Sequence, residues 1–433
     1  MQKWVLSILM LLSLQIHAQE PTKMQWFSDA KLGIFIHWGI YAVDGTSESW
    51  AFYNKRVPYS NYMNQIKGFT AANYKPTEWA NLIAESGAKY AVITTKHHDG
   101  VALWNTKQNQ LSIPKKSPAA KDVLTPFYVA LKAKQIKFGA YYSLIDWSHP
   151  AYTGFTKDSS RYKVVHDSLR WKSFQGFYKG QLTELIKQYH PDLFWFDGDW
   201  EHDAKTWDAA GIRKMILDDN PKAIINGRLQ GFGDYDTPEQ NFPVSRPLQN
   251  NWELCLTTND NWGFRFIDTN FKTPYEIISI FADCIGMGGN LLLDIGPKAD
   301  GSIPKEQVHL LKELGAWNKK HEEAVFSSIA GLPTGHFYGP STLSKDSQTL
   351  YLFIANSHAT ACYVKGLQNK IVSAEVLGNH EKIAVKVVGK ITWSQVPGLV
   401  YFDIPSAAQD PYMTVLKLKL EGPLKLYRGK GGL

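Results

Sequence analysis

The chain has 433 residues, 20% of them charged, and a formal net charge of +7 carried by dispersed Lys and Arg. No basic run marks a nucleic-acid surface, and three widely spaced cysteines (Cys255, Cys284, Cys362) form neither a disulfide framework nor a zinc pattern. The stronger bias is aromatic, 13% with 15 Trp, more than cores ordinarily use, which points to a ligand cleft lined by rings.

The first residues, Met1-Gln2-Lys3, are followed by an apolar run from Trp4 to about Leu14 and by His17-Ala18-Gln19-Glu20. This order predicts a signal peptide over residues 1–18 and an exported chain, periplasmic or extracellular. No other stretch is a candidate membrane span, so no membrane association is expected after cleavage. A helix over Pro21–Ala30 precedes a strand from Lys31 that ends in His37-Trp38-Gly39. A polar loop with Glu48 and Trp50 follows. Helices over Pro76–Ser86, Val123–Lys134 and Arg170–Tyr189 alternate with strands Tyr90–Lys96, Phe138–Ser143 and Leu193–Asp197. The alternation continues through a helix over Lys205–Leu217, a strand over Ala223–Asn226, a helix over Pro274–Gly286, a strand over Asn290–Ile295 and a helix over Pro304–Glu323. Between them Gly231–Leu256, which carries Pro238, Pro243 and Pro247, reads as a long loop followed by a strand over Trp252–Thr257. Alternation across residues 19–331 predicts an α/β fold, a (β/α) TIM-like barrel. Short β-rich runs without helical periodicity predict a C-terminal antiparallel β-sandwich over residues 332–433.

In such a barrel, chemistry gathers at the C-terminal tips of the strands. Asp197 stands at one tip, flanked by Trp195 and Trp200 as prospective pocket walls; the plainer alternative is that Asp197 or Asp199 caps the next helix. His37, His97 and His98 stand at two other tips. Strand-borne metal ligands favour His-x-His, whereas adjacent histidines diverge, so these imidazoles are expected to hold hydroxyls rather than a metal. Rings beside carboxyl groups suit sugars, and glycoside cleavage needs two carboxyl groups. The second carboxyl is Glu239, in a Pro-flanked loop, or Glu253, after Trp252.

Ile36-His37-Trp38-Gly39, Thr95-Lys96-His97-His98-Asp99-Gly100, Trp195-Phe196-Asp197-Gly198, Asn226-Gly227-Arg228 and Trp252-Glu253 through Trp262-Gly263-Phe264 resemble the α-L-fucosidases of glycoside hydrolase family 29. The resemblance covers the barrel and, more weakly, the β domain. It implies an exo-acting retaining hydrolase without cofactor or metal, acting on terminal α-linked fucose of oligosaccharides or glycoproteins. It implies Asp197 as nucleophile, with His37, His97, His98 and Tyr142 holding the sugar and Arg228 near the nucleophile. Gly227 stands where Asp is common. Glu48 and Trp50, with Ser49 between them, stand near a family Glu-Trp pair, and Trp195 and Trp262 join them as substrate-binding candidates. The acid is expected from a loop downstream of Arg228, which favours Glu239, with Glu253 as the alternative. The His-Trp-Gly form resembles the broader-specificity branch. Two other functions are a non-catalytic glycan-binding protein on this scaffold and a glycosidase for a related sugar such as α-L-galactose. The sequence leaves open whether the chain forms a homo-oligomer.

Overall fold

The computed structural model describes residues 23–248, 251–355 and 361–429; the expected signal peptide lies outside them. Seven parallel strands form the central sheet: β1 Leu32–Ile36, β2 Tyr90–Lys96, β3 Lys137–Ser143, β4 Leu193–Asp197, β5 Ile224–Ile225, β6 Glu253–Thr257 and β7 Asn290–Ile295. They pair in the order β5-β4-β3-β2-β1-β7-β6. Nearly every residue in them is buried, because helices cover one face while the other faces the barrel axis.

The gap between β5 and β6 is closed by the segment read from sequence as a free loop. Tyr235 bridges to Asn226, just past β5, while Asp236 bridges to Trp252, just before β6, and Glu239 to Cys255 on β6, all in parallel sense. Cys255 N–H donates to the Pro238 carbonyl and Gln240 N–H to the Cys255 carbonyl. Pro238 has no N–H to give, so a continuous ladder cannot form, but single bridges on either side of it can. Residues 234–240 thus occupy the eighth strand position as an irregular seam, which corrects the reading of this stretch as a plain loop.

Covering helices include Pro76–Glu85, Leu124–Ala133, Ser168–Tyr189, Pro274–Gly286 and Lys305–Lys320. The helix expected over Lys205–Leu217 is two, Ala204–Trp207 and Ala209–Asp219. They meet at Asp208, whose φ of +52° breaks the run while its carboxylate accepts from Gly211 N–H to start the second.

Two antiparallel sheets follow. One orders Ile329–Ala330, Ser341–Leu343, Thr349–Ile354, Thr414–Leu420 and Ile371–Val376; the other orders Ala361–Lys365, Leu399–Asp403 and Val385–Val388. The first strand begins at Ile329, so the sandwich takes up residues just before Leu332. It is fixed to the helix Lys305–Lys320 by Trp317 Nε1–H, which donates to the Met413 carbonyl at 2.9 Å.

Candidate active site

Alternation along the strands stacks the barrel interior in layers. Phe35 of β1, Tyr141 of β3, Trp195 of β4 and Cys255 of β6 share one apolar cluster in the barrel axis. Two residues further along each strand lies a polar layer at the C-terminal mouth: His37, Ser143, Asp197 and Thr257. Turns leave these tips through glycines at positive φ, Gly100 at +79° after His97-His98-Asp99 and Gly198 at +82° after Asp197. A Cβ at Gly100 would strike the Asp146 carboxylate, and one at Gly198 the Ile145 side chain.

Asp197 is held from both sides. Tyr141 Oη–H donates to Oδ2 at 2.8 Å, and Arg228 Nη1–H donates to Oδ1 at 3.1 Å. The same guanidinium reaches Glu239 Oε2 through Nη2 at 2.5 Å and lies 4.5 Å over the Trp195 ring. Burial works against the charge of Arg228, but Asp197, Cys255 and Glu239 outweigh it and hold its pKa above the ordinary arginine value. Asp197 and Glu239 are therefore joined by one cation, Asp197 on the floor and Glu239 toward solvent, with side-chain exposures of 12% and 40%.

The three histidines line the same mouth with neutral rings. Burial lowers each pKa well below the usual histidine value, and the neighbouring His97, His98 and Lys96 respectively push the same way. Each is oriented through Nδ1 at 2.6 Å: His37 by Asp294, His97 by Ser49 and His98 by Ser143. At His98 the tautomer follows from the network. Ser143 Oγ–H donates to the Ile145 carbonyl, so Ser143 accepts from Nδ1–H and leaves Nε2 with a lone pair. That Nε2 is buried without a partner, 3.6 Å from Asp197 Oδ2, placed to accept from a hydroxyl lying over the carboxylate. Among the described residues, no His, Cys, Asp or Glu side chains gather in a metal-holding group.

Trp262 packs against His37 at 5.0 Å between ring centroids, and Trp50 against His98 at 5.4 Å. Glu48 is buried under the turn that carries Trp262. It accepts from Gly263 N–H at 2.7 Å, and burial pushes its carboxyl up to about 7.

Three expected placements are corrected. Tyr142 points away from the mouth, into the helix layer, where its hydroxyl donates to Gln181 Oε1 at 2.8 Å and its ring lies 4.5 Å from Lys96 Nζ. The tyrosine that meets Asp197 is Tyr141, which shares its strand face with Ser143. Trp195 is not a wall of the pocket but a support beneath it, stacked on Tyr141 and buried. Glu253 opens β6 at the far end of the barrel. Its oxygens accept from Tyr90 Oη–H at 2.5 Å, Trp195 Nε1–H at 3.0 Å and Tyr235 Oη–H at 3.5 Å, three buried donors at the end of the barrel opposite the mouth.

A carboxyl on a barrel floor, a second carboxyl at the rim and neutral imidazoles lining the same mouth fit a glycoside hydrolase. The sequence profile described as alpha-L-fucosidase matches residues 15–323. The chain belongs to the α-L-fucosidase family. It is 30% identical to the tissue α-L-fucosidase of Mus musculus over 404 residues, covering 86% of this chain and 85% of that one. It superposes on α-L-fucosidase isoenzyme 1 from Paenibacillus thiaminolyticus with a TM-score of 0.82 at 29% identity, over 92% of this chain and 99% of that one. A family 29 α-L-fucosidase from Bacteroides thetaiotaomicron, trapped as a covalent intermediate with 2-fluoro-fucosyl fluoride using a glutamate-to-glutamine mutant, gives 0.80 at 28% identity, covering 93% and 97%.

Proposed function

We propose that this enzyme removes terminal α-linked L-fucose from oligosaccharides or glycoproteins with retention, Asp197 acting as nucleophile and Glu239 as acid and base. The observation that carries the assignment is the Arg228 guanidinium, which binds both carboxyl groups at once. In the first step an Asp197 oxygen bonds to the anomeric carbon, the glycosidic C–O bond breaks, and the Glu239 proton passes to the leaving oxygen. In the second, water attacks that carbon, Glu239 takes its proton, and the bond to Asp197 breaks. Arg228 and Tyr141 hold the Asp197 carboxylate at fixed orientation, so little of the approach geometry must be found during the reaction. Neutral His37, His97 and His98 accept from or donate to the sugar hydroxyls, and Trp262 lies alongside.

The covalent intermediate trapped in the Bacteroides thetaiotaomicron relative with a glutamate replaced supports this division of labour. Among the described residues no helix is long and apolar enough to cross a membrane, and residues 1–18 are proposed to direct export to the periplasm or medium.

The test is hydrolysis of 4-nitrophenyl α-L-fucoside followed by NMR. α-L-Fucose as the first-formed anomer supports the reading; β-L-fucose would overturn retention. Faster hydrolysis of the α-L-galactoside would move the substrate to that sugar.

A further inference from the structure

Outside the fucose pocket, the mouth of the barrel carries a second feature with sugar-binding chemistry. The chain between β3 and the helix Ser168–Tyr189 holds a small hairpin, Gly154–Thr156 with Ser159–Ser160. Together with Tyr53, Trp200 and Glu201 it walls a groove of about 500 Å³. Trp200 is 51% exposed, unusual for so large an apolar ring. Its neighbours enforce that exposure. The Asp199 carbonyl accepts from Trp207 Nε1–H and Gln230 Nε2–H, and its carboxylate accepts from Gln230 N–H. On the other side, Glu201 accepts from Trp147 Nε1–H at 3.1 Å and Tyr152 Oη–H at 2.5 Å. The short turn bearing Trp200 is thus pinned at both ends, and the ring is presented rather than loose.

The groove is continuous with the catalytic centre through rings. Trp200 lies parallel to Trp50, 6.4 Å between centroids at 13°, and its ring centroid is 6.0 Å from that of His98, at 83° between planes; His98 in turn faces Asp197. Beyond Trp200 the lining turns polar, with Lys157, the exposed hydroxyl of Ser160, the mutually bonded hydroxyls of Thr156 and Ser159, and the carboxylate of Asp158, which is paired with Lys55 at 2.7 Å. An aromatic face followed by hydroxyls and exposed charged groups offers a pyranose a ring to stack on and donors and acceptors for its hydroxyls.

We infer that this groove is a subsite for the glycan chain to which the fucose is attached, with Trp200 stacking on a sugar beyond the scissile bond. The inference rests on the fucosidase reading above and extends it to substrate choice: chains that reach the groove are preferred to small aglycones.

The experiment compares wild type, Trp200→Ala and Ser160→Trp on 4-nitrophenyl α-L-fucoside and on a fucosylated tetrasaccharide. Ser160 is exposed on the hairpin, so a ring there fills the groove without entering the core. The ratio of kcat/KM for tetrasaccharide over aryl fucoside is expected to fall about tenfold in both variants, largely through KM. A ratio unchanged in either variant overturns the subsite. Turnover of the aryl fucoside by the wild-type enzyme tests the activity itself, so a failure there falls on the fucosidase reading and a failure of the ratio falls on the groove.

Discussion

The two ends of the barrel interior hold the same kinds of side chain and use them differently. At the mouth, Asp197 and Glu239 share one guanidinium, and His98 Nε2 is buried without a partner. At the base, Glu253 is fully buried and accepts from Tyr90, Trp195 and Tyr235. A carboxyl is chemically available where its hydrogen-bonding capacity is left open toward a space a substrate can enter. Where buried side chains surround it and donate to both oxygens, it is a rivet.

The largest effect that separates the ends is at Asp197. Asp197→Ala is expected to lower kcat by about four orders of magnitude or more on every fucoside while the thermal transition moves little. A variant retaining a tenth of the activity would shift the nucleophile elsewhere. Next is Glu239→Ala, expected to cost about a thousandfold on natural oligosaccharides, whose leaving groups need a proton, and far less on activated aryl fucosides. Azide should accelerate turnover of that variant and give α-fucosyl azide. If Glu253→Ala showed this behaviour instead, the roles of mouth and base would be exchanged.

The adjacent tyrosines of β3 sharpen the comparison at a smaller scale. Tyr141→Phe removes a donor to Asp197 and should cost about ten- to a hundredfold in kcat/KM, the worth of a hydrogen bond to a charged group. Tyr142→Phe should leave kcat/KM near wild type and lose only about 1 kcal/mol of stability with its bond to Gln181.

The smallest effect concerns the base alone. Burial raises the Glu253 carboxyl from 4.5 to about 7, so the folded protein holds that proton more tightly than the unfolded chain. Its contribution to stability is intact below about pH 4.5, declines as pH rises toward 7, and is constant above. Glu253→Gln should flatten that decline, by about 1–3 kcal/mol in urea melts at pH 5 against pH 7.5. An identical pH slope in both proteins would show that Glu253 does not titrate there.

Strand positions at the mouth were readable because a short apolar run ending in a polar tip is a local signal, as at Leu193–Asp197. The tyrosine was readable too, since alternation from Gly139 through Tyr141 to Ser143 selects Tyr141; matching a family pattern instead selected its neighbour. Glu253 could be discounted by its place at the start of a strand rather than the end. The seam at 234–240 was not legible, because its three bridges are isolated and its proline interrupts any strand pattern. The hairpin beside Trp200 was missed for a related reason: strands of two and three residues carry no measurable alternation.

That seam divides the site by cohesion. Asp197 and the histidines stand on or beside strands paired along their length, whereas Glu239 stands on a segment tied by isolated bridges and by Arg228. Segments with few ladder bonds open locally at lower free energy than the rest of the fold. Under mild denaturant, Glu239 would leave before Asp197 does. On the roles proposed above, the enzyme would pass through a state that still forms the fucosyl bond with activated fucosides but can neither protonate a sugar leaving group nor activate water, so natural activity would be lost while the aryl assay showed a burst followed by slow turnover.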